Sequence, residues 1–237
     1  MKLGIMQPYF FPYIGYFQLI NSVDKWVVFD NVQYIYHGWI NRNRILHPSR
    51  EDWQYIIIPI NKHNRNDNIN EIIVSDDQDW RNRIIRQLEH YKKLAPYYNE
   101  TLQLVNECLC TEEKYLARFN VRIFELICSR LNISFLYQYS SELNINLEKI
   151  QEPGDWALNI SHDLNASEYI NPIGGKDIFN KEKFDNYCIE LKFLKPKEIR
   201  YNQKNKQFIT DLSIIDILMF NDTVKIREML NQFELSQ

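Results

Sequence analysis

Apolar residues open the chain in two short runs, Lys2–Met6 (KLGIM) and Lys25–Phe29 (KWVVF). Between them, Tyr13–Asn21 repeats its apolar positions at helical spacing, so the first thirty residues read strand, helix, strand. Two strands joined through a helix are compatible with a parallel pair. A third strand is predicted over Trp53–Pro59 (WQYIIIP); Pro59 and the polar stretch Asn61–Asn70 end it, and Glu71–Val74 reads as a short fourth. From Asp79 the period changes. Trp80, Ile84, Leu88 and Tyr91 share one face of a helix over Asp79–Lys93, after a run of aspartates suited to a helix N-terminus. Further helices are predicted over Thr101–Cys108, Thr111–Leu131, Trp156–Leu164 (after a break at Pro153-Gly154-Asp155), Lys181–Tyr187, Leu212–Phe220 and Thr223–Phe233. Strands are predicted over Ile133–Tyr137, Glu168–Ile170 and Ile189–Leu194. Thr210 or Asp211 would cap the helix that starts at Leu212. The pattern predicts an α/β fold with a Rossmann-like, mostly parallel sheet and helical additions. It forms one domain over residues 1–237, β-rich to about residue 75 and helix-rich beyond.

Composition removes several classes of function. The net charge of -3 argues against nucleic acid as a partner. No apolar run reaches bilayer-spanning length and no signal-like segment opens the chain, so a cytoplasmic protein without a membrane span is expected. Cys108, Cys110, Cys128 and Cys188 form no C-x-x-C pair and read as reduced, structural thiols. There is no G-x-S-x-G and no H-x-x-x-H, so no metal ligand set is proposed. Ser161-His162-Asp163 is not a triad, because adjacent side chains point apart.

Three segments carry candidate chemistry. In the first, prolines at 8 and 12 hold the chain after the first strand in a rigid turn, and Gln7, Tyr9, Tyr13 and Tyr16 are candidates to shape a pocket. Gly15 lies in a helical pattern, where it costs up to about 1 kcal/mol against alanine. That cost predicts a close backbone approach there, to a ligand or to a packed strand. The same residues also fit a packed aromatic turn. In the second segment, Asp30–Ile45, polar and aromatic side chains follow the second strand at its carboxyl end, where open α/β sheets place ligands. Asp30 is the first candidate base and His37 the second; Asn31, Gln33, Trp39, Asn41, Arg42, Asn43 and Arg44 are candidate binding groups. Strand alternation puts Arg42 and Arg44 on the face opposite Asn41 and Asn43, so one pair at most meets a ligand. A polar surface hairpin anchored by Trp39 is the competing description. In the third, Gly174, Gly175 and Lys176 offer approachable amides beside a cation, without P-loop spacing.

These motifs together resemble the WbqC-like family of bacteria, over nearly the whole chain. The resemblance rests on QPYFFPYIGYFQLI (Gln7–Ile20), DNVQY (Asp30–Tyr34), GWINRNRI (Gly38–Ile45), YKKLAPYY (Tyr91–Tyr98), ASEYINPIGGK (Ala166–Lys176) and LSIIDILMFN (Leu212–Asn221). It implies a place in surface-polysaccharide assembly, O-antigen included. The implied reaction moves an acyl or aminoacyl group, such as glycyl, to the amine of a nucleotide-linked amino sugar. The partners implied are that sugar and an acyl-carrier protein or aminoacyl donor; no cofactor is specified. The opening segment is also similar in layout to nucleotidylyltransferase-like enzymes and pantothenate synthetase, whose H-x-G-H stands where this chain has Tyr13-Ile14-Gly15-Tyr16. Both histidines are tyrosines, which supply no cation near neutral pH. An ATP-dependent ligase or nucleotidylyltransferase is therefore the second expectation, and a non-enzymatic sugar- or carrier-binding module the third.

Overall fold

The computed structural model describes residues 1–237 except Arg50, Leu147, Lys149 and Lys206. Its centre is a six-stranded sheet built from β1 (Lys2–Met6), β2 (Lys25–Val28), β5 (Tyr137–Tyr139), β6 (Glu168–Pro172), β7 (Glu190–Pro196) and β8 (Phe233–Ser236). Their order across the sheet is β5-β2-β1-β6-β7-β8. The first five run parallel, with Leu3 opposite Lys25 on one side of β1 and Tyr169 on the other. β8 closes the edge antiparallel to β7. A separate antiparallel pair, β3 (Arg42–Leu46) and β4 (Trp53–Ile57), stands apart from this sheet.

Period-two alternation divides the sheet between two cores. Leu3, Ile5, Val27, Tyr169, Leu191 and Phe193 point to one side. There they meet α5 (Pro153–Asp163) and α6 (Lys181–Asn186) through Ala157, Ile160 and Phe184. Trp26, Val28, Ile170 and Leu194 point to the other side. That larger core holds α1 (Ile14–Ser22), α2 (Trp80–Leu88), α3 (Tyr98–Leu109), α4 (Leu116–Leu131), α7 (Ile214–Phe220) and α8 (Thr223–Met229). Every residue of α1 from Ile14 to Ile20 is buried, Gln18 included. Its Nε2 donates to Met229 O at 2.8 Å and Gln232 O at 3.0 Å, which ties α1 to the end of α8.

Some expected elements differ. Glu71–Val74 is not a strand: a tight turn at Ile69–Glu71, boxed by Asn68 and Glu71, leads into isolated bridges at Ile73 and Val74. Pro153 does not break the chain but opens α5 at its first turn, where a missing N–H costs nothing. The last helix stops at Met229, and Phe233–Ser236 forms β8 instead. Ile133–Tyr137 yields a strand shifted to Tyr137–Tyr139.

The strand order fixes where a ligand can enter. From β1 the chain crosses through α1 to β2 on one side, while β6 joins β1 on the other. The loops leaving β1 and β6 therefore part at the carboxyl edge of the sheet, and such a switch point opens a crevice.

Candidate functional site

The loop after β1 is held in one shape by buried polar side chains. Phe11 has a left-handed backbone, φ 40°, strained for a bulky residue by about 1–3 kcal/mol. Asn43 on β3 donates from Nδ2 to both Phe10 O and Phe11 O at 2.9 Å, while its Oδ1 accepts Arg44 N at 2.8 Å. Ser213 Oγ donates to the same Phe11 carbonyl at 2.8 Å, and Ile214 N donates to Pro12 O at 2.9 Å. Asn120 on α4 bridges Pro8 O at 2.8 Å and Ile40 O at 2.7 Å. Tyr16, fully buried, donates its hydroxyl to Gln7 O at 2.8 Å. The carbonyls of Gln7, Pro8, Phe10, Phe11 and Pro12 are thus all occupied, and the side chains of Tyr9 and Tyr13 are presented outward on a fixed frame.

Those two tyrosines line a cleft with two lobes at the switch point. The smaller, of about 270 Å³, is bounded by Tyr9, Pro12, Tyr13, Trp39, Asn43, Arg44 and Asp211. The larger, of about 550 Å³, includes Ile173 beyond β6, Lys195 to Ile199 at the end of β7, and Phe208 to Leu212. Tyr13 and Asp211 border both. Arg44 sits with its guanidinium 5.3 Å from the Trp39 ring centre and 5.2 Å from that of Trp53. One Nη2 donates to Asp211 O at 3.2 Å, and the buried Nε has no partner. Stacking of this kind locks a planar fork in place and leaves its edge for an oxyanion. Asp211 is exposed, left-handed at φ 56°, and its carboxylate accepts no hydrogen bond from the described residues. Burial raises the Tyr9 phenol pKa; burial, the Asp211 charge and Tyr9 raise that of Tyr13. Both hydroxyls therefore stay protonated donors at neutral pH.

The larger lobe is walled by a strap of two stretches, residues 197–205 and 207–212, pinned to α7 through Asp216. Tyr91 and Tyr201 each donate a hydroxyl to this fully buried carboxylate at 2.6 Å, and Gln203 Nε2 donates at 3.0 Å. Gln203 also exchanges hydrogen bonds with the backbone of Ile209, at 2.9 Å each way. Burial raises the Asp216 pKa, opposed by its three donors.

The sequence candidates fall in different places. Tyr9, Tyr13, Trp39, Asn43 and Arg44 come together in the smaller lobe. Arg42 does not join them: it folds back onto its own turn, bonding Gly38 O and His37 O, with its guanidinium 4.4 Å from the Tyr55 ring centre. His37 lies exposed on that turn. Asp30 is buried and spends its oxygens on the turn after β5, accepting Ser141 N at 2.9 Å, Ser141 Oγ at 2.8 Å and Ser140 Oγ at 3.0 Å. Asn31 Oδ1 meets the same Ser140 hydroxyl at 2.6 Å. Asn41 joins Tyr34 OH to Ile58 O, and Gln33 donates to Arg65 O on the surface. Gly174, Gly175 and Lys176 lie in a tight turn beyond β6, and Lys176 Nζ reaches Gln237 O at 2.9 Å and the Phe193 ring. The close approach at Gly15 is made by a side chain: a Cβ there would lie 2.4 Å from Tyr13 Cε2. The expected cap at Thr210 or Asp211 is supplied instead by Ser213, whose Oγ accepts Ile215 N. Sequence reasoning passed over Lys195, Lys197 and Tyr201 altogether. A polar residue next to an unneeded cap was the one signal available for Asp211.

Among the described residues no three of His, Cys, Asp and Glu converge as metal ligands, and no helix is long and apolar enough to cross a membrane. No solved structure matches the chain. The uncharacterized protein Rv1507c of Mycobacterium tuberculosis is 28% identical over 220 residues, covering 92% of each chain. A family model, that of the WbqC-like protein family, matches residues 7–228, a span that holds the clamped loop, both lobes of the cleft and the strap. The chain belongs to the WbqC-like protein family.

Proposed function

We propose that the protein is a transferase that binds a nucleotide-linked amino sugar in the switch-point cleft and moves an acyl or aminoacyl group onto the sugar's amine, in the assembly of surface polysaccharide. The observation that carries this reading is Arg44, fixed between Trp39 and Trp53 at the edge of a lobe lined by Tyr9 and Tyr13. A stacked arginine suits the diphosphate, and aromatic walls with protonated hydroxyls suit a sugar ring. Attack by an amine also needs a group to take its proton. Asp211 supports that role better than Asp30 or His37, since its carboxylate is unengaged and borders both lobes.

Nucleotidyl transfer has less support. Tyr16, at the second histidine position of the H-x-G-H layout, is sealed in the core with its hydroxyl on Gln7 O, where it meets no phosphate. Calorimetric titration with nucleoside-diphosphate amino sugars, followed by mass spectrometry of the product with acyl donors, tests the proposal. Binding that is lost in Arg44→Ala and kept in Arg42→Ala, with turnover lost in Asp211→Asn, is expected. Binding that ignores Arg44, or release of pyrophosphate from ATP, would sink it.

A further inference from the structure

The larger lobe has a character of its own. Its walls are apolar, with Ile173, Ile199, Phe208 and Ile209 facing the space, and its rim carries Lys195 and Lys197. Lys195 has no ion-pair partner among the described residues, and Lys197 stands 3.8 Å from Glu234. Of the two acids that line the lobe, Glu198 is already bound by Arg200, and Asp211 stands where the two lobes meet. An apolar slot with two cations at its mouth suits a ligand with an uncharged arm and a phosphate at the outer end. The slot meets the smaller lobe at Asp211 and Tyr13, which line both. No cysteine, serine or histidine is found among the described residues lining either lobe. Thr210 is the one aliphatic hydroxyl among them, and whichever group receives the acyl, the donor must arrive with a good leaving group.

We infer that the larger lobe is the donor site and takes the acyl group as a pantetheine thioester, its phosphate on Lys195 and Lys197 and its thioester carbonyl beside Asp211. This rests on the acyl-transfer reading above. Both substrates are then bound together and transfer is direct. The neutral sugar amine attacks the thioester carbonyl carbon, the C–N bond forms and the C–S bond breaks. Asp211 takes the proton from nitrogen, and the departing thiolate is protonated to the thiol. The products are an amide and a free pantetheine thiol. Coenzyme A and a pantetheinylated carrier protein present the same arm and differ in what lies beyond the phosphate.

Isothermal titration of the full chain with acetyl-coenzyme A, 4′-phosphopantetheine and a pantetheinylated carrier protein tests the assignment. Lys195→Ala/Lys197→Ala is the probe variant; both positions are exposed, and a thermal melt checks that it folds. The expected result is saturable binding of at least one pantetheine probe, weakened about tenfold or more in the double variant, as loss of a charged hydrogen bond implies. Arg42→Ala, whose side chain folds back onto its own turn and lines neither lobe, should leave that binding unchanged. Binding of acetyl-coenzyme A names the free cofactor as the source; binding of the loaded carrier alone names the carrier. The assignment is overturned if no pantetheine probe binds, if binding is indifferent to the two lysines, or if an acyl phosphate or acyl adenylate occupies the lobe instead. Failure of nucleotide-sugar binding with pantetheine binding intact would remove the acceptor reading and leave the donor lobe standing.

Discussion

Gly15→Ala separates the site from the fold. The added methyl would lie 2.4, 2.7 and 2.8 Å from Cε2, Cζ and the hydroxyl of Tyr13, all at the far end of that side chain. The backbone at Gly15 is not left-handed, so alanine fits it, and the helix gains up to about 1 kcal/mol, less in this first turn. The Tyr13 ring must retreat by roughly 1 Å to reach ordinary contact distance. It is only half-buried and its hydroxyl makes no hydrogen bond to the described residues, so a displaced rotamer costs about 0.5–1.5 kcal/mol. These terms offset, and the melting temperature should move by no more than a few degrees, roughly 2–4 °C per kcal/mol for a chain of this size. The ring that borders both lobes is nonetheless out of place. A misplacement of about 1 Å can cost on the order of 100-fold in turnover. Paired measurements of thermal unfolding and of sugar-nucleotide binding or turnover decide the matter. An unchanged melt with wild-type binding and turnover would show that Tyr13 shapes no substrate site; a collapsed melt would show that Gly15 serves the core.

Three further outcomes concern the frame around the cleft and the helix α5 on the other face of the sheet. Asn43→Ala removes two donors to the Phe10 and Phe11 carbonyls and the acceptor for Arg44 N, and should cost about 2–4 kcal/mol by urea denaturation while also weakening ligand binding. Asp216, with its pKa raised by burial, favours the fold most as a neutral acid; that contribution is complete below the ordinary carboxylate range and is lost as pH rises through the raised value. Asp216→Asn should therefore flatten the dependence of stability on pH above the ordinary carboxylate range, and a slope equal to that of the wild type would contradict the assignment. Asp155 behaves oppositely. Hydrogen bonds from Lys183 and from the Gln151 and Glu152 amides hold its pKa down, so its stabilisation is present above the unfolded-state pKa of about 3.9 and is lost as pH falls through the lowered value. Asp155→Ala should cost about 1–2 kcal/mol at neutral pH, mainly as a lost helix cap, with the difference shrinking in acid.

Local pattern was enough for β1, α1 and β2, because KLGIM and KWVVF are apolar runs too short for helices and the segment between them keeps one period. The order of strands was not legible. β6 lies beside β1 through a register that joins Leu3 to Tyr169, and nothing near residue 3 announces it. The same distance hid the roles of side chains. Alternation placed Arg42 and Arg44 on one face of β3, yet the turn at His37 and Gly38 claims the first, and Trp39, Trp53 and Asp211 frame the second. Asp30 stands at a strand's carboxyl end, as expected of a site residue, but Ser140 and Ser141 take its oxygens from a turn more than a hundred residues away. β8 went unpredicted, with the last helix drawn to Phe233, because FELS is too short to show either period.

The clamps on the loop after β1 also set an order of events in folding. Residues 7–13 leave the ribosome early, but Phe11 in its left-handed geometry is held by Asn43 and by Ser213, and Pro8 by Asn120. The strained turn lacks its clamps from Ser213 and Ile214 until α7 docks, and contacts across some two hundred residues are slow to form. The first strands can pair during synthesis while the cleft waits for nearly the last helix. A chain stalled before residue 213 would carry much of the sheet without a finished site, so binding competence reports completion of the fold rather than of its nucleus.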